Sequence, residues 1–183
     1  MTHIFNEKHF KKLDSPERRK ILPIDDVISM IGLKDDMVVA DVGCGIGYFS
    51  FPFAKVSDKV YGIDISEVMI EELTKRNTSH NVIPLLGDFV EKLNENVDIF
   101  FTSTVIHELP DLGEFTKSAI DKLTLNGQLV YLDFQKKETG FGPSVDKRVS
   151  SDDVVKLFET FGLNEIDKIL LNDVFYIVKG RKS

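Results

Sequence analysis

The chain is poor in several things. It has one cysteine in 183 residues, 12 glycines and 6 prolines. One cysteine excludes a disulfide scaffold and a cysteine-built zinc site, and it fits a reducing compartment. So few glycines and prolines exclude a fibrous or low-complexity protein. No apolar run approaches the roughly 20 residues a membrane span needs, and Met1–Lys20 lacks a signal-peptide core. Together these absences predict a cytoplasmic protein without a metal site. Positive charge is also short: 23 Lys and Arg face 30 Asp and Glu, for a net −7. That balance argues against nucleic acid, whose phosphates reward clustered positive charge. What is present, 42% hydrophobic and 29% charged residues, suits one ordinary domain with a real core.

The charge is unevenly placed. Residues 1–20 hold six basic side chains (Lys8, Lys11, Lys12, Arg18, Arg19, Lys20) against three acids (Glu7, Asp14, Glu17), a surplus of +3. Taking +3 from −7 leaves −10 for the rest of the chain. One reading is a basic flap over an anionic ligand. The other is a solvated leader packed through Ile4, Phe5, Phe10 and Leu13, the commoner fate of such runs. Residues 1–33 are accordingly read as a helical leader or cap, and residues 34–183 as the main domain.

A short helix is expected around Glu7–Leu13, and another beginning at Pro16, because proline suits the first helical position. Ile24, Val27, Ile28 and Ile31 form a helical stripe that Gly32 ends. The periodicity then changes. Met37–Val42, Val60–Ile65, Val82–Leu86, Val97–Thr102 and Gln128–Phe134 are short apolar runs, the last introduced by the turn pair Asn126-Gly127. Such runs fit parallel strands buried on both faces. Between and after them, Tyr48–Lys55, Ser66–Arg76, Asp111–Leu123 and Ser151–Phe161 are long enough for helices, with Ser66 and Ser151 as N-caps. Residues 166–171 and 174–178 lie too close for a helical crossover, so they pair antiparallel. The expected fold is a doubly wound α/β sheet with one reversed strand near the end.

The most informative stretch is Asp41-Val42-Gly43-Cys44-Gly45-Ile46-Gly47-Tyr48, where an apolar strand meets three alternate glycines. Glycine permits positive φ and removes the Cβ that would keep a ligand from the backbone. The first such turn of an open α/β sheet opens on its ligand crevice. A dinucleotide fingerprint would need a small residue at position 48, where this chain has Tyr. A P-loop fails too, since no Gly-Lys-Ser/Thr follows. The pattern left is D-x-G-x-G-x-G.

That pattern resembles the first motif of the class I S-adenosylmethionine-dependent methyltransferases, and the resemblance runs from about Leu33 to Gly180. It implies a seven-stranded, three-layer α/β/α fold with an antiparallel C-terminal strand and S-adenosylmethionine as cofactor. Asp41, Gly43, Gly45 and Gly47 would form the cofactor turn. Asp64, closing Tyr61-Gly62-Ile63-Asp64-Ile65, would accept the ribose hydroxyls, with Ile65 against the adenine. Asp88 and the backbone N–H of Phe89 would read the adenine edge. The backbone near Ser103, after Val97–Thr102, would meet the methionine end, while Asp98 is expected to be structural.

The acceptor is approached by exclusion. Methylation of cytosine C5 needs a cysteine nucleophile, and the single Cys44 sits in the cofactor turn. Arsenite chemistry needs several thiols, and the Asn/Asp-Pro-Pro-aromatic segment of base-amino methylation is replaced by Ser103-Thr104-Val105-Ile106-His107. A small-molecule acceptor remains. His107 could be its general base or a packing histidine; both readings stay open, because alignment alone can drive methyl displacement. The loop after the fifth strand is read as a lid, touching the acceptor through Phe141 or Arg148. The alternatives are an NAD-linked oxidoreductase, which Tyr48 opposes, and a non-catalytic nucleoside-binding regulatory protein. The oligomeric state is not written in the sequence.

Overall fold

The computed structural model describes residues 14–183. The helix expected at Glu7–Leu13 and the packing of Ile4, Phe5, Phe10 and Leu13 lie outside them. The described chain opens with α1 (Pro16–Ile21), where Ser15 accepts the Arg18 N–H and Pro16 takes the first helical position. Next comes α2 (Ile24–Ile31), whose Val27 and Ile31 are buried and which ends at Gly32 with φ +65°. Glycine holds that left-handed cap without a Cβ penalty.

Seven strands follow: β1 (Val38–Val42), β2 (Lys59–Asp64), β3 (Val82–Leu86), β4 (Val97–Ser103), β5 (Leu123–Phe134), β6 (Asn164–Leu170) and β7 (Phe175–Arg181). The intervening helices are α3 (Ser50–Ala54), α4 (Glu67–Arg76), α5 (Phe89–Lys92), α6 (Leu112–Asp121) and α7 (Ser151–Thr160). The sheet order is β3-β2-β1-β4-β5-β7-β6, with β7 antiparallel to both neighbours. The chain reverses its winding between β1 and β4, so their carboxyl ends flank the crevice of the fold.

The central strands bury alternate residues on opposite faces. Val39, Phe101 and Val130 pack with Val27, Ile31, Phe49 and Phe53 of the α2–α3 layer. Ala40, Phe100 and Leu129 pack with Phe89, Ala119, Val154 and Phe158 of the α5–α7 layer. Each fully buried phenylalanine contributes roughly 1.5–3 kcal/mol. Asp98 ties strand starts together: it accepts the Val38 N–H at 2.9 Å and the Thr124 hydroxyl at 3.1 Å. Its role is structural, as expected.

Three local expectations need correction. Asn126-Gly127 is not a turn before β5, because the strand begins at Leu123 and runs through the pair. The β4–β5 register shifts between Val97 and Ile99, and Asn126 takes φ +62° within this irregularity. The first helix after the glycine turn starts at Ser50 rather than Tyr48 and spans only five residues. Phe51 donates to the Gly47 carbonyl at 3.3 Å, but Pro52 has no N–H to donate back to Tyr48, so that turn does not continue into the helix. The N-cap of α7 is Ser150, one residue before Ser151, and its Oγ accepts the Asp153 N–H at 3.1 Å. Ser66 caps α4 as expected.

Candidate active site

The glycine turn leaves β1 at the crevice. Gly43, Gly45 and Gly47 have φ of +74°, +54° and +91°, the left-handed backbone that side chains resist. A methyl group on Gly43 would overlap Val105, and one on Gly47 would lie 2.5 Å from Leu73. Several N–H groups of the turn are already occupied. Gly43 and Cys44 both donate to the Ile63 carbonyl, and Gly45 donates to Asp64 Oδ2 at 2.9 Å. The glycines therefore clear space more than they supply donors.

Asp64 ends β2 and also accepts the Ser66 N–H on Oδ1 at 2.9 Å. Burial raises its pKa, while the N–H groups of Ser66 and Gly45 oppose the shift. Each carboxylate oxygen retains a second lone pair, so a diol can still be received. Beside it, Ile65, Leu86 and Val90 expose 65%, 41% and 48% of their surfaces. Three apolar side chains open to solvent at one sheet edge mark a surface suited to a flat apolar ligand. Asp88 is exposed among them, and its Oδ1 caps α5 by accepting the Val90 N–H at 2.8 Å. Phe89 buries its ring and, as the first residue of α5, has no intrahelical partner for its N–H.

A cleft on the other side of the turn is lined by Asp41, Gly43, Gly45, Ser103 and Thr104, with Arg18 and Tyr48 closing it. Asp41 is buried and accepts the Ser50 hydroxyl at 2.5 Å. Burial pushes its pKa up to about 7 against the opposing hydrogen bond from Ser50. Ser103 Oγ is buried without a hydrogen-bond partner. Thr104 follows at φ +57°, a strained conformation for a β-branched residue and of a kind that gathers at functional sites. Tyr48, which opposes a pyrophosphate, is buried and donates its hydroxyl to the Leu22 carbonyl at 2.7 Å.

His107 lies in a short 3-10 turn (Ile106–Glu108) beyond β4. Its side chain is 6% exposed, and Nδ1 is 2.8 Å from Asp133 Oδ1. Asp133 is fully buried near the end of β5 and also accepts the Phe134 N–H at 2.7 Å. Nε2 lies 3.7 Å from Glu108 Oε1. Asp133 is the functional candidate that sequence reasoning missed, although it stands at the carboxyl end of a strand. Phe134 packs edge-on against His107, with ring centroids 5.5 Å apart, and also contacts Phe141.

The loop of residues 135–148 departs from expectation. Arg148 is 3% exposed, and its guanidinium hydrogen bonds run into the loop itself. It donates to the carbonyls of Gln135, Lys137, Phe141 and Pro143 and to the Thr139 hydroxyl. A guanidinium with several donors in a fixed fork is suited to tying a loop together this way. Phe141 keeps 45% of its surface exposed.

A model of the methyltransferase domain family matches residues 33–169, so the chain belongs to that family. A crystal structure of a SAM-dependent methyltransferase from Aquifex aeolicus superposes with a TM-score of 0.89 at 25% identity, over 98% of this chain and 100% of that one. Among curated relatives, the 23S rRNA (uracil(1939)-C(5))-methyltransferase of Alcanivorax borkumensis is 31% identical over 81 residues, 43% of this chain and 18% of its own length. The ubiquinone biosynthesis O-methyltransferase of Bradyrhizobium diazoefficiens is 30% identical over 95 residues, 50% of this chain and 38% of its own length. The chain thus spans well under half of either curated relative.

The cofactor of this family is S-adenosylmethionine, and the residues present fit it. The cleared glycine turn, the apolar edge at Ile65, Leu86 and Val90, and the orphaned Ser103 hydroxyl suit the parts of an adenosyl amino acid. Among the described residues no helix is long and apolar enough to cross a membrane, and no cluster of potential metal ligands occurs.

Proposed function

We propose that this protein transfers a methyl group from S-adenosylmethionine to a small-molecule acceptor by direct displacement. The observation that carries the catalytic part is the His107–Asp133 pair at 2.8 Å, set just beyond the strand that ends in Ser103. Asp41, the three glycines, Asp64, Ile65, Asp88, Phe89 and Ser103 would hold the cofactor, which supplies a methyl group on a sulfonium sulfur when bound. The chain's own task is then to remove a proton from the acceptor and to exclude water.

His107 suits the first task. With Nδ1–H donated to Asp133, the Nε2 lone pair is left to accept a proton from a hydroxyl, carboxylic acid or amine. The buried carboxylate fixes the tautomer and steadies the imidazolium that forms, as in other base–orienter pairs. Phe134 and Phe141 would keep water from the acceptor and offer it an apolar wall. Residues 14–33 would cap this domain.

An RNA acceptor is opposed by the −10 carried by residues 21–183. Methylation of a pyrimidine carbon is opposed by the state of Cys44. It is buried, and burial with Asp41 and Asp64 nearby pushes its thiol well above the usual range. A thiol so placed is a poor nucleophile. The test is to incubate the protein with methyl-labelled S-adenosylmethionine and a panel of small hydroxy, carboxylic and amine acceptors, with tRNA and rRNA in parallel. Label should enter a small acceptor and neither RNA. Label in RNA alone would overturn the acceptor class. Binding of NAD with no binding of S-adenosylhomocysteine would overturn the reaction.

A further inference from the structure

Glu108 follows His107 directly, and the pairing of His107 with Asp133 makes no use of it. The turn that carries both residues is fixed on several sides. Thr104 donates its N–H to the Leu132 carbonyl at 2.8 Å, Val105 packs so closely on Gly43 that a methyl group there would overlap it, and Ile106 is buried in the core. Glu108 closes the 3-10 turn by donating its own N–H to the Val105 carbonyl at 2.9 Å. Its carboxylate oxygen Oε1 stands 3.7 Å from His107 Nε2, and 39% of the side chain is exposed against 6% for the imidazole. The imidazole thus lies between two carboxylates. Asp133, fully buried, holds Nδ1, while Glu108, open to solvent, borders Nε2.

That border has a sign. Residues 104–114 contain Glu108, Asp111 and Glu114 and no lysine or arginine. The loop of residues 135–148 brings cations, but Arg148 spends its guanidinium N–H groups on loop acceptors, and Lys137 pairs with Asp173 at 3.1 Å. What this loop and the end of β5 set near His107 is aromatic. Phe134 packs on the imidazole, and Phe141 packs on Phe134 with ring centroids 6.0 Å apart. The Arg148 guanidinium lies over Phe134 at 5.3 Å, so the half-exposed Phe141 is the ring left open to an incoming group. A carboxylate beside an aromatic ring suits an ammonium, which the first pairs with and the second attracts through its π face. The same carboxylate repels an acidic acceptor, and a neutral hydroxyl gains little from its charge.

We propose that Glu108 selects a basic amine as the methyl acceptor, receiving its ammonium beside His107 Nε2 with Phe141 against the adjoining carbons. The proposal rests on the reading of His107 and Asp133 as the pair that deprotonates a small acceptor, and it narrows that acceptor from three functional groups to one. A basic amine arrives as R–NH3+, which has no lone pair for attack. His107 Nε2 takes one proton from it. The freed nitrogen lone pair then forms the new N–C bond as the methyl carbon parts from sulfur. The electron pair of the broken S–C bond stays on sulfur, giving S-adenosylhomocysteine, and the imidazolium afterwards releases its proton to water. The product, R–NH2–CH3+, keeps one positive charge, so Glu108 faces the same charge before and after transfer.

The experiment gives the full chain methyl-labelled S-adenosylmethionine and arylalkyl compounds in matched sets, each set carrying an amine, an alcohol and a carboxylic acid on one carbon skeleton. Label should enter amines and neither of their matched partners. Label in alcohols or acids with none in amines would overturn the proposal and leave small-molecule transfer standing. Label in none of the sets overturns it too, and label in RNA alone, run in parallel, refutes the acceptor reading beneath it. With the best amine, Glu108→Gln should raise KM by about 10- to 100-fold, the scale of a lost charge-assisted hydrogen bond, and change kcat by less than about threefold. Its affinity for S-adenosylhomocysteine should stay within about twofold of wild type, the mark of binding lost at the acceptor alone. Glu108→Lys should abolish the preference for amines over the matched acids. An unchanged KM in Glu108→Gln would remove Glu108 from the acceptor site. Equal weakening of amine and S-adenosylhomocysteine would make it a structural residue of the turn and overturn the proposal as well.

Discussion

The Asp133 carboxylate grips the His107 imidazole at Nδ1, 2.8 Å away, from a fully buried position near the end of β5. Both groups depend on strand pairing. Ser103 of β4 lies opposite Leu132 of β5, so the residue after Leu132 comes to stand beside the segment that follows Ser103. Asp133→Asn should keep the shape and lose the tautomer control. We expect turnover to fall by about 10²–10⁴-fold, the range seen when such an orienting carboxylate is changed. Affinity for S-adenosylhomocysteine should stay the same. Steady-state kinetics alongside a binding titration checks this, and full turnover in the variant would leave alignment as the source of rate.

Asp41 sets a pH dependence of stability. Its pKa is about 7 in the folded chain and near 3.9 when unfolded. Between those values the folded state holds a proton that the unfolded state has lost, so this group makes stability fall as pH rises from about 4 to about 7. The full effect of three pKa units is about 4 kcal/mol, an upper bound. Asp41→Asn keeps an acceptor for Ser50 and abolishes the titration. Its melting temperature relative to wild type should therefore rise between pH 5 and pH 8. An offset constant across that range would contradict the assignment.

Gly43→Ala should destabilise the fold twice over, through φ of +74° and through overlap with Val105. A loss of about 2–4 kcal/mol is expected from strain plus overpacking. Adding Val105→Ala removes the overlap and leaves the strain, so the double variant should lose less than the two single losses summed. Denaturant unfolding of the four proteins measures this coupling, and strict additivity would sink the steric account.

Arg148→Met should release the loop of residues 135–148, because the loop carbonyls of Gln135, Lys137, Phe141 and Pro143 lose their common donor. Trypsin cleavage after Lys136 and Lys137 should quicken about tenfold or more, as a lost local restraint of about 1.4 kcal/mol implies. Cleavage at the wild-type rate would show that the loop is held by other contacts.

Asp64→Ala should lower both cofactor affinity and thermal stability. The first loss, about 1–3 kcal/mol, reflects unpaired ribose hydroxyls. The second arises because the Gly45 and Ser66 N–H groups lose their acceptor. S-adenosylhomocysteine binding unchanged in a stable variant would remove Asp64 from the ribose site.

Much of the sheet was legible because local signals agreed. β-branched runs, the Ser66 cap and the Gly32 helix end act over a few residues, and each recurs in the folded chain within a residue or two. The glycine turn was legible because three alternate positions at positive φ favour glycine over any residue with a side chain. Asn126-Gly127 misled, since a sequence preferred in tight turns also serves an irregular strand. Its distortion is set by pairing with the residues near Lys182, far along the chain. Arg148 looked like a ligand contact because it is a cation in a long polar loop. That it turns inward to five loop acceptors follows from the path of the loop backbone. Asp133 escaped because it acquires its meaning from His107, a neighbour brought near only by the pairing of β4 with β5.

The C-terminal hairpin reaches back to the first described segment. Asn172 binds the Ile21 carbonyl, and Lys179 binds that of Met30 at 2.8 Å, contacts that span about 150 residues. Pairings that distant form late, because their loop closure must come before their reward. On a ribosome, α1 and α2 would emerge before β6 and β7 and wait for them before these two anchors existed. A chain in which β6 and β7 have not yet paired should accordingly leave α1 and α2 without these two anchors.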